Sequence, residues 1–165
     1  MDALAPADLY EHDFYAWTQD QAARLRALGA RNDGVDVENL AEEVEGLGKS
    51  DRRAAGKLIE QALIHLMKLA HHPARENRAH WRAELRGFRG QIADIFVDSP
   101  SLHAHRAEIA APRWDRAQRI FLDGLEADGH DPRRAAAALR SGAYFDLDAE
   151  VLNEDWFPPD AAAEE

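Results

Sequence analysis

The stretch SDRRAAGKLIEQALIHLMKLAHHP, residues 50–73, decides the fold. Leu58, Ile59, Ala62, Leu63, Leu66, Met67, Leu69 and Ala70 recur at spacings of three and four. At about 100° per residue they cover roughly half of a helix circumference. An arc that wide needs neighbours on several sides. The spacing therefore predicts a central helix, capped by Ser50 or Asp51 and ended before Pro73. No convincing period-two alternation occurs along the chain, so no sheet is expected.

Upstream, Asp8 with Glu11 three residues later reads as a capping box opening a first helix. Tyr10, Phe14, Trp17, Leu25 and Leu28 line its apolar stripe, and Gly29 followed by Asn32, Asp33 and Gly34 ends it. Asp36 caps a second helix with Val37, Leu40, Val44 and Leu47 on one face, stopped at Gly46-Leu47-Gly48. Downstream, a fourth helix over about 77–97 turns Trp81, Leu85, Phe88, Ile92, Ile95 and Phe96 inward, and Asp98-Ser99-Pro100 breaks it. A fifth opens at Ser99 or Ser101, carries Leu102 and Ile109, kinks or restarts at Pro112, and continues through Trp114, Ala117, Phe121 and Leu125. Asp131-Pro132 opens a short helix through Leu139 that ends near Gly142. Trp156 and Phe157, in the tail DWFPPDAAAEE, read as a strap packed back onto the body. These signals specify an all-α, single-domain helical bundle of about five to seven helices with a central apolar third helix. The domain spans 8–157, between an N-terminal tail (1–7) and a frayed C-terminal tail (158–165).

Composition narrows the function. The chain has 165 residues, 45% hydrophobic and 31% charged, which is ordinary for a globular protein. It has no cysteine, which excludes disulfides, thiolate metal sites and thiol catalysis. No run reaches the ~18 apolar residues of a membrane helix, and the N-terminus lacks a signal-peptide pattern, so a cytoplasmic protein with no membrane partner is expected. The net charge of −11 is uneven: −8 over residues 1–48, +6 over 49–91 and −9 over 92–165. An acidic chain is a poor general nucleic-acid binder, since phosphate neutralisation drives that affinity. The basic block can neutralise the acidic ones within the monomer, or blocks can mate between chains, which leaves room for a protein partner and for either a monomer or a homodimer.

Phosphate loops, dinucleotide fingerprints, zinc-protease helices and nucleophile elbows are absent. None of the eight histidines pairs with another at i, i+4, and no Glu has a His three residues later, so no metal or cofactor site and no catalytic residue is expected. Four groups of residues remain as a candidate polar pocket or interaction surface. Glu42, Glu43 and Glu45 gather on the second helix, with Glu43 bordering the apolar face. Arg78, Arg82, Arg86 and Arg89 form a guanidinium ridge on the fourth; it could hold an anion or RNA, or more plainly pair with Glu43 and its neighbours. His65 edges the third helix's apolar arc, where a tuned imidazole could act as a base, although a satisfied half-buried histidine is commoner. Gln21 interrupts the first helix's stripe between Trp17 and Leu25 and would need a hydrogen-bond partner if buried. The leading expectation is a non-enzymatic interaction module. The alternative is an inter-helix pocket joining Glu43, His65 and Arg82, and RNA binding along the ridge is weaker.

Four blocks resemble a known family. Asp8-Leu-Tyr-Glu-His-Asp-Phe-Tyr-Ala-Trp17, Asn39-Leu-Ala-Glu-Glu-Val-Glu-Gly-Leu-Gly48, His65-Leu-Met-Lys68 before Pro73, and Trp81-Arg82 with Asp98-Ser-Pro-Ser-Leu102 are together similar to the bacterial domain-of-unknown-function 29 family. The resemblance covers roughly residues 8–157. It implies a compact, all-helical bacterial protein, and it implies no activity, since none is assigned to that family. The chain departs from the family pattern at Pro112, which interrupts a helix continuous there, and over Asp128 to Asp131.

Overall fold

The computed structural model describes residues 6–29, 34–140 and 145–159, the side chains of residues 6 and 7 excepted. Among these the fold is all-α, with no strand. The helices are α1 (Pro6–His12), α2 (Phe14–Leu28), α3 (Val37–His71), α4 (Arg78–Asp98), α5 (Pro100–Ala104), α6 (Arg106–Ala110), α7 (Trp114–Ala127) and α8 (Arg133–Arg140). Single 3-10 turns cover Arg75–Asn77 and Ala111–Arg113, and one π-helical turn covers Leu147–Val151. The count of eight reflects where the expected helices divide and fuse.

The first expected helix is two. Asp8 lies inside α1 rather than at its start, and the chain breaks at Asp13, whose carboxylate accepts from the Ala16 N–H and so caps α2. The second and third are one helix of 35 residues. Asp36 caps it as expected, accepting from the Asn39 N–H at 3.2 Å. Gly46 and Gly48 do not stop it, and Ser50 and Asp51 lie in its interior. Mid-helix glycine weakens a helix by only about 1 kcal/mol, which tertiary packing readily outweighs. Pro112 splits the fifth expected helix, since it sits in the 3-10 turn between α6 and α7. The expected end of the short helix at Gly142 lies outside the described residues; α8 ends at Arg140.

The chain divides into two compact units, one running to Ala55 and including Ala93–Arg106, the other comprising Gly56–Ile92 and the chain from Ala107 onward. In the first, the buried face of α2 is made of small residues, Thr18 and Ala22. They match a glycine: a Cβ on Gly48 would come 2.2 Å from Thr18 Oγ1 and 3.0 Å from the Tyr15 ring. The large aromatics of this region go elsewhere. Tyr10 meets Phe14 and Trp17 edge-to-face, and Phe14 stacks on Trp17, at centroid distances of 4.8–6.0 Å. In the second unit, the arc that the sequence marked is the core: Ile59, Ala62, Leu66, Met67 and Leu69 are fully buried, with Trp81, Leu85 and Ile92 of α4 and Ala117, Phe121 and Leu125 of α7.

Candidate functional site

In the first unit the polar chemistry joins helix ends. Ser99 precedes α5, yet its hydroxyl caps no residue of α5; it accepts from the Tyr15 N–H in the first turn of α2, at 3.1 Å. Asp13 returns the service. Besides capping α2, its carboxylate accepts from the Ser101 N–H (2.8 Å) and the Ser101 hydroxyl (2.7 Å). The two helices thus exchange caps, and each satisfies an N–H that the other's first turn would leave without a partner. Gln21 is half-buried and donates to Asp20 beside it. It is not the interior amide that the spacing suggested; the buried polar residue of α2 is Thr18, whose hydroxyl donates to the Tyr15 carbonyl.

The acidic cluster separates. Glu45 is half-buried and paired with Arg26 (2.9 Å) and Lys49 (2.9 Å), which hold its carboxyl below the ordinary range, Lys49 first. Glu42 and Glu43 are exposed on α3, between Leu40 and Leu47, which are 47% and 52% exposed. Neither carboxylate makes an ion pair or hydrogen bond among the described residues.

In the second unit the arginine ridge has an occupant, and it is the chain's own C-terminal strap. Arg89 is 2% exposed and donates to the carbonyls of Val151 (2.8 Å), Glu150 (2.5 Å), Trp156 (3.0 Å) and Glu154 (3.5 Å). Burial pushes it down to about 10, so it remains a cation at neutral pH. Arg82, Arg86 and Arg89 surround the Phe157 ring, with guanidinium carbons 4.8, 5.0 and 5.3 Å from its centroid. Arg78 faces inward instead and donates to the Leu69 carbonyl. Of the four ridge arginines only Arg82 and Arg86 are exposed, and both lie over Phe157 rather than against carboxylates. The expected strap of Trp156 and Phe157 is thus present, and among the described residues Arg82, Arg86 and Arg89 meet the strap while Arg78 and Arg89 donate to backbone carbonyls.

His65 is buried with both ring nitrogens engaged. Nδ1 donates to the Gln61 carbonyl (2.8 Å), and Nε2 lies 2.9 Å from Glu84 Oε2. Its bond to Glu84, chiefly, holds that carboxyl below its ordinary range, and His80 reaches the same oxygen at 3.3 Å. Glu84, not Glu43, is its carboxylate partner. Glu43 precedes His65 by about six turns of the same helix. Arg82 is engaged with Phe157, so the structure does not bring Glu43, His65 and Arg82 into one described pocket.

Two further polar groups are buried: His72, which lies two turns after His65 on the same side, and Glu60, which the sequence reading did not single out. His72 is buried; its Nδ1 accepts from the Ala74 N–H (3.1 Å), its Nε2 faces Asp128 (3.4 Å), and desolvation holds its pKa below the ordinary histidine value. Glu60 is also buried, with Arg116 at 3.4 Å and Arg113 at 3.9 Å, while its Oε2 and the Arg113 Nε lack hydrogen-bond partners. Gly56 leaves the space that Arg113 fills: a Cβ there would come 2.7 Å from its guanidinium. A lone Glu inside the apolar run Leu58-Ile-Glu-Gln-Ala-Leu-Ile64 was the available signal. Among the described residues no group of three or more His, Asp or Glu side chains is placed to hold a metal, and no helix is long and apolar enough to cross a membrane.

These clusters define a class: an all-helical protein whose ordered polar chemistry joins helix ends, fixes a C-terminal strap and satisfies buried histidines. The chain belongs to the family described as domain of unknown function DUF29, whose model matches residues 9–157. It is also similar to the crystal structure of an alpha-helical protein of unknown function from Rhodospirillum rubrum, at 27% identity and a TM-score of 0.70, covering 93% of this chain and 92% of that one. No curated protein matches it. No specific function is indicated by either relative.

Proposed function

We propose that this protein is a non-enzymatic interaction module of the bacterial cytoplasm that docks a basic amphipathic helix of another protein on the first half of α3. The observation that carries this reading is the exposed stripe of Leu40 and Leu47, seven residues apart, bordered by Glu43, an exposed carboxylate without a cationic partner among the described residues. Residues at i and i+7 share a helix face. An apolar stripe bordered by an unmatched carboxylate suits a partner helix with its own apolar stripe bordered by Lys or Arg. The neighbouring carboxylates Glu38 and Glu45 are matched internally by Arg26, which sharpens the contrast.

A Leu/Lys amphipathic peptide titrated calorimetrically into the full chain tests this. Saturable binding is expected, weakened by salt and lost in Leu47→Asp or Glu43→Lys; both sites are exposed, so folding should survive. No binding, or binding indifferent to both changes, overturns the proposal. Self-association abolished by the same changes also overturns it, because the face would then be taken by a second copy. The enzymatic alternative draws less support: neither His65 nor His72 retains a ring nitrogen free for proton transfer. RNA binding along the ridge would have to proceed with Arg78 and Arg89 turned to backbone carbonyls.

A further inference from the structure

Within the second unit a cleft of about 240 Å³ runs between α3 and α7. That exceeds the ~150 Å³ that holds a benzene ring in an apolar protein cavity. The two helices run in the same sense here. Glu60 lies by Arg113 and Arg116 at the start of α7, and His72, just past the end of α3, faces Asp128, just past the end of α7. The α3 wall presents Gln61, Ile64, Lys68 and His72 at spacings of three and four, one face of a helix. Gln61 therefore lies at one end of the wall, about 16 Å of helix from His72 at ~1.5 Å per residue. Between them the cleft is apolar: Ile64 and Phe121 are buried, and Ile120, 41% exposed, forms the lip. Gly124 leaves room in the α7 wall, since nothing lies within 4 Å of a Cβ built there.

The charged groups of the lining are already engaged. Lys68 lies over the Trp81 ring at 5.8 Å, and Asp128 faces the His72 Nε2 at 3.4 Å. The other ring nitrogen of His72 accepts from the Ala74 N–H, and desolvation keeps that ring neutral at pH 7. One cation and one anion leave the lining without net charge. Gln61 differs: it is half-buried, and its side-chain amide makes no hydrogen bond among the described residues. A carboxamide sets an oxygen acceptor beside an N–H donor, so it pairs in two places with a group that does the same. A hydrocarbon would cover the apolar walls and leave that amide unmet. An ion would bring a charge that no group in the lining is free to match.

We propose that this cleft binds an uncharged aromatic amide, its ring against Ile64, Ile120 and Phe121 and its amide edge paired with the Gln61 side chain. The proposal is independent of the docking face on the first half of α3.

Benzamide is the probe, titrated into the full chain while the isoleucine methyl groups are followed by NMR. Saturable shifts at Ile64 and Ile120, and none at Ile92 or Ile109, are expected with a dissociation constant on the order of millimolar. Toluene, which lacks the amide edge, and benzoate, which adds a charge, should each bind about tenfold more weakly. Gln61→Leu should weaken benzamide about tenfold and leave toluene unchanged. Gly124→Leu should abolish binding of both by filling the cleft, and its Cβ enters open space, so the fold should survive. Absence of a saturable shift at Ile64, equal binding of toluene or benzoate, or undiminished benzamide binding by either variant would overturn the site.

Discussion

At the scale of single residues, chemically identical positions separate once their neighbours are known. Gly46 and Gly48 read alike as helix breakers, and both lie within α3. Nothing comes within 4 Å of a Cβ built on Gly46, whereas on Gly48 it would collide with Thr18 and Tyr15. Gly46→Ala should therefore stabilise the protein by about 0.5–1 kcal/mol through helix propensity. Gly48→Ala should lower its stability despite the same propensity gain, and urea unfolding of the two variants beside the parent checks both signs. Arg89 shows the same limit of sequence. Its place on a four-residue ridge was legible, but its carbonyl partners lie more than sixty residues downstream, and no local pattern names them. Lysine can carry the charge but offers no planar fork for several carbonyls at once. Arg89→Lys should cost about 2–3 kcal/mol and speed proteolytic cleavage within the strap. Unchanged cleavage would show that the strap is held by Trp156 and Phe157 instead.

At the scale of elements, capping signals were read more reliably than helix lengths. Asp36, Asp131 and the break at Asp98-Ser99-Pro100 act where the sequence placed them. The break expected at Gly48 failed where a contact lies far along the chain, with Thr18 and Tyr15, and the one at Gly46 failed with no such contact. Asp8 failed for another reason: Asp13, five residues later, is the residue with two helix ends to satisfy. The exchange between α2 and α5 predicts coupling. Asp13→Ala removes an acceptor from Ala16, the Ser101 N–H and the Ser101 hydroxyl, and should cost about 2 kcal/mol. Ser101→Ala removes only the hydroxyl and should cost less. A double-mutant cycle between them should return a coupling of at least about 0.5 kcal/mol; additive effects would mean that the hydroxyl contributes nothing to the junction. None of the residues expected to carry chemistry was needed to see this. Their side chains were singled out by spacing alone, and only tertiary placement reveals that His65 and Arg89 are satisfied by hydrogen bonds, while Glu42 and Glu43 have no partner among the described residues.

At the scale of the whole molecule, two sets of titrating groups, buried histidines and bonded carboxylates, each lower stability as the pH falls, while Asp51, raised by burial and then by Asp98, works against the second set. His71 and His72 have pKa values below the ordinary 6.5, for each chiefly because burial disfavours the imidazolium. Just below pH 6.5 the unfolded chain therefore binds more protons at these sites than the folded one, and stability falls as the pH drops toward their folded values. Above 6.5 both rings are neutral in either state and the loss vanishes. The slope in this window cannot exceed about 2.7 kcal/mol per pH unit, the value for two protons. The carboxylates follow at lower pH. Glu84, bonded by His65, Glu45, bonded by Lys49 and Arg26, and Asp131, bonded by Arg133 and held to about 2, are all depressed. Their contributions are present above the ordinary carboxylate range and lost below it, although exposure and screening keep each small. Urea midpoints should thus be flat from pH 8 to about 7, decline below about 6.5 as the unfolded histidines take up protons, and decline again below about 4.5. His71→Gln removes one titrating ring and should flatten the upper decline while leaving the lower one in place. If the upper decline survives unchanged in that variant, burial of His71 is not its source, and His72 alone carries the window.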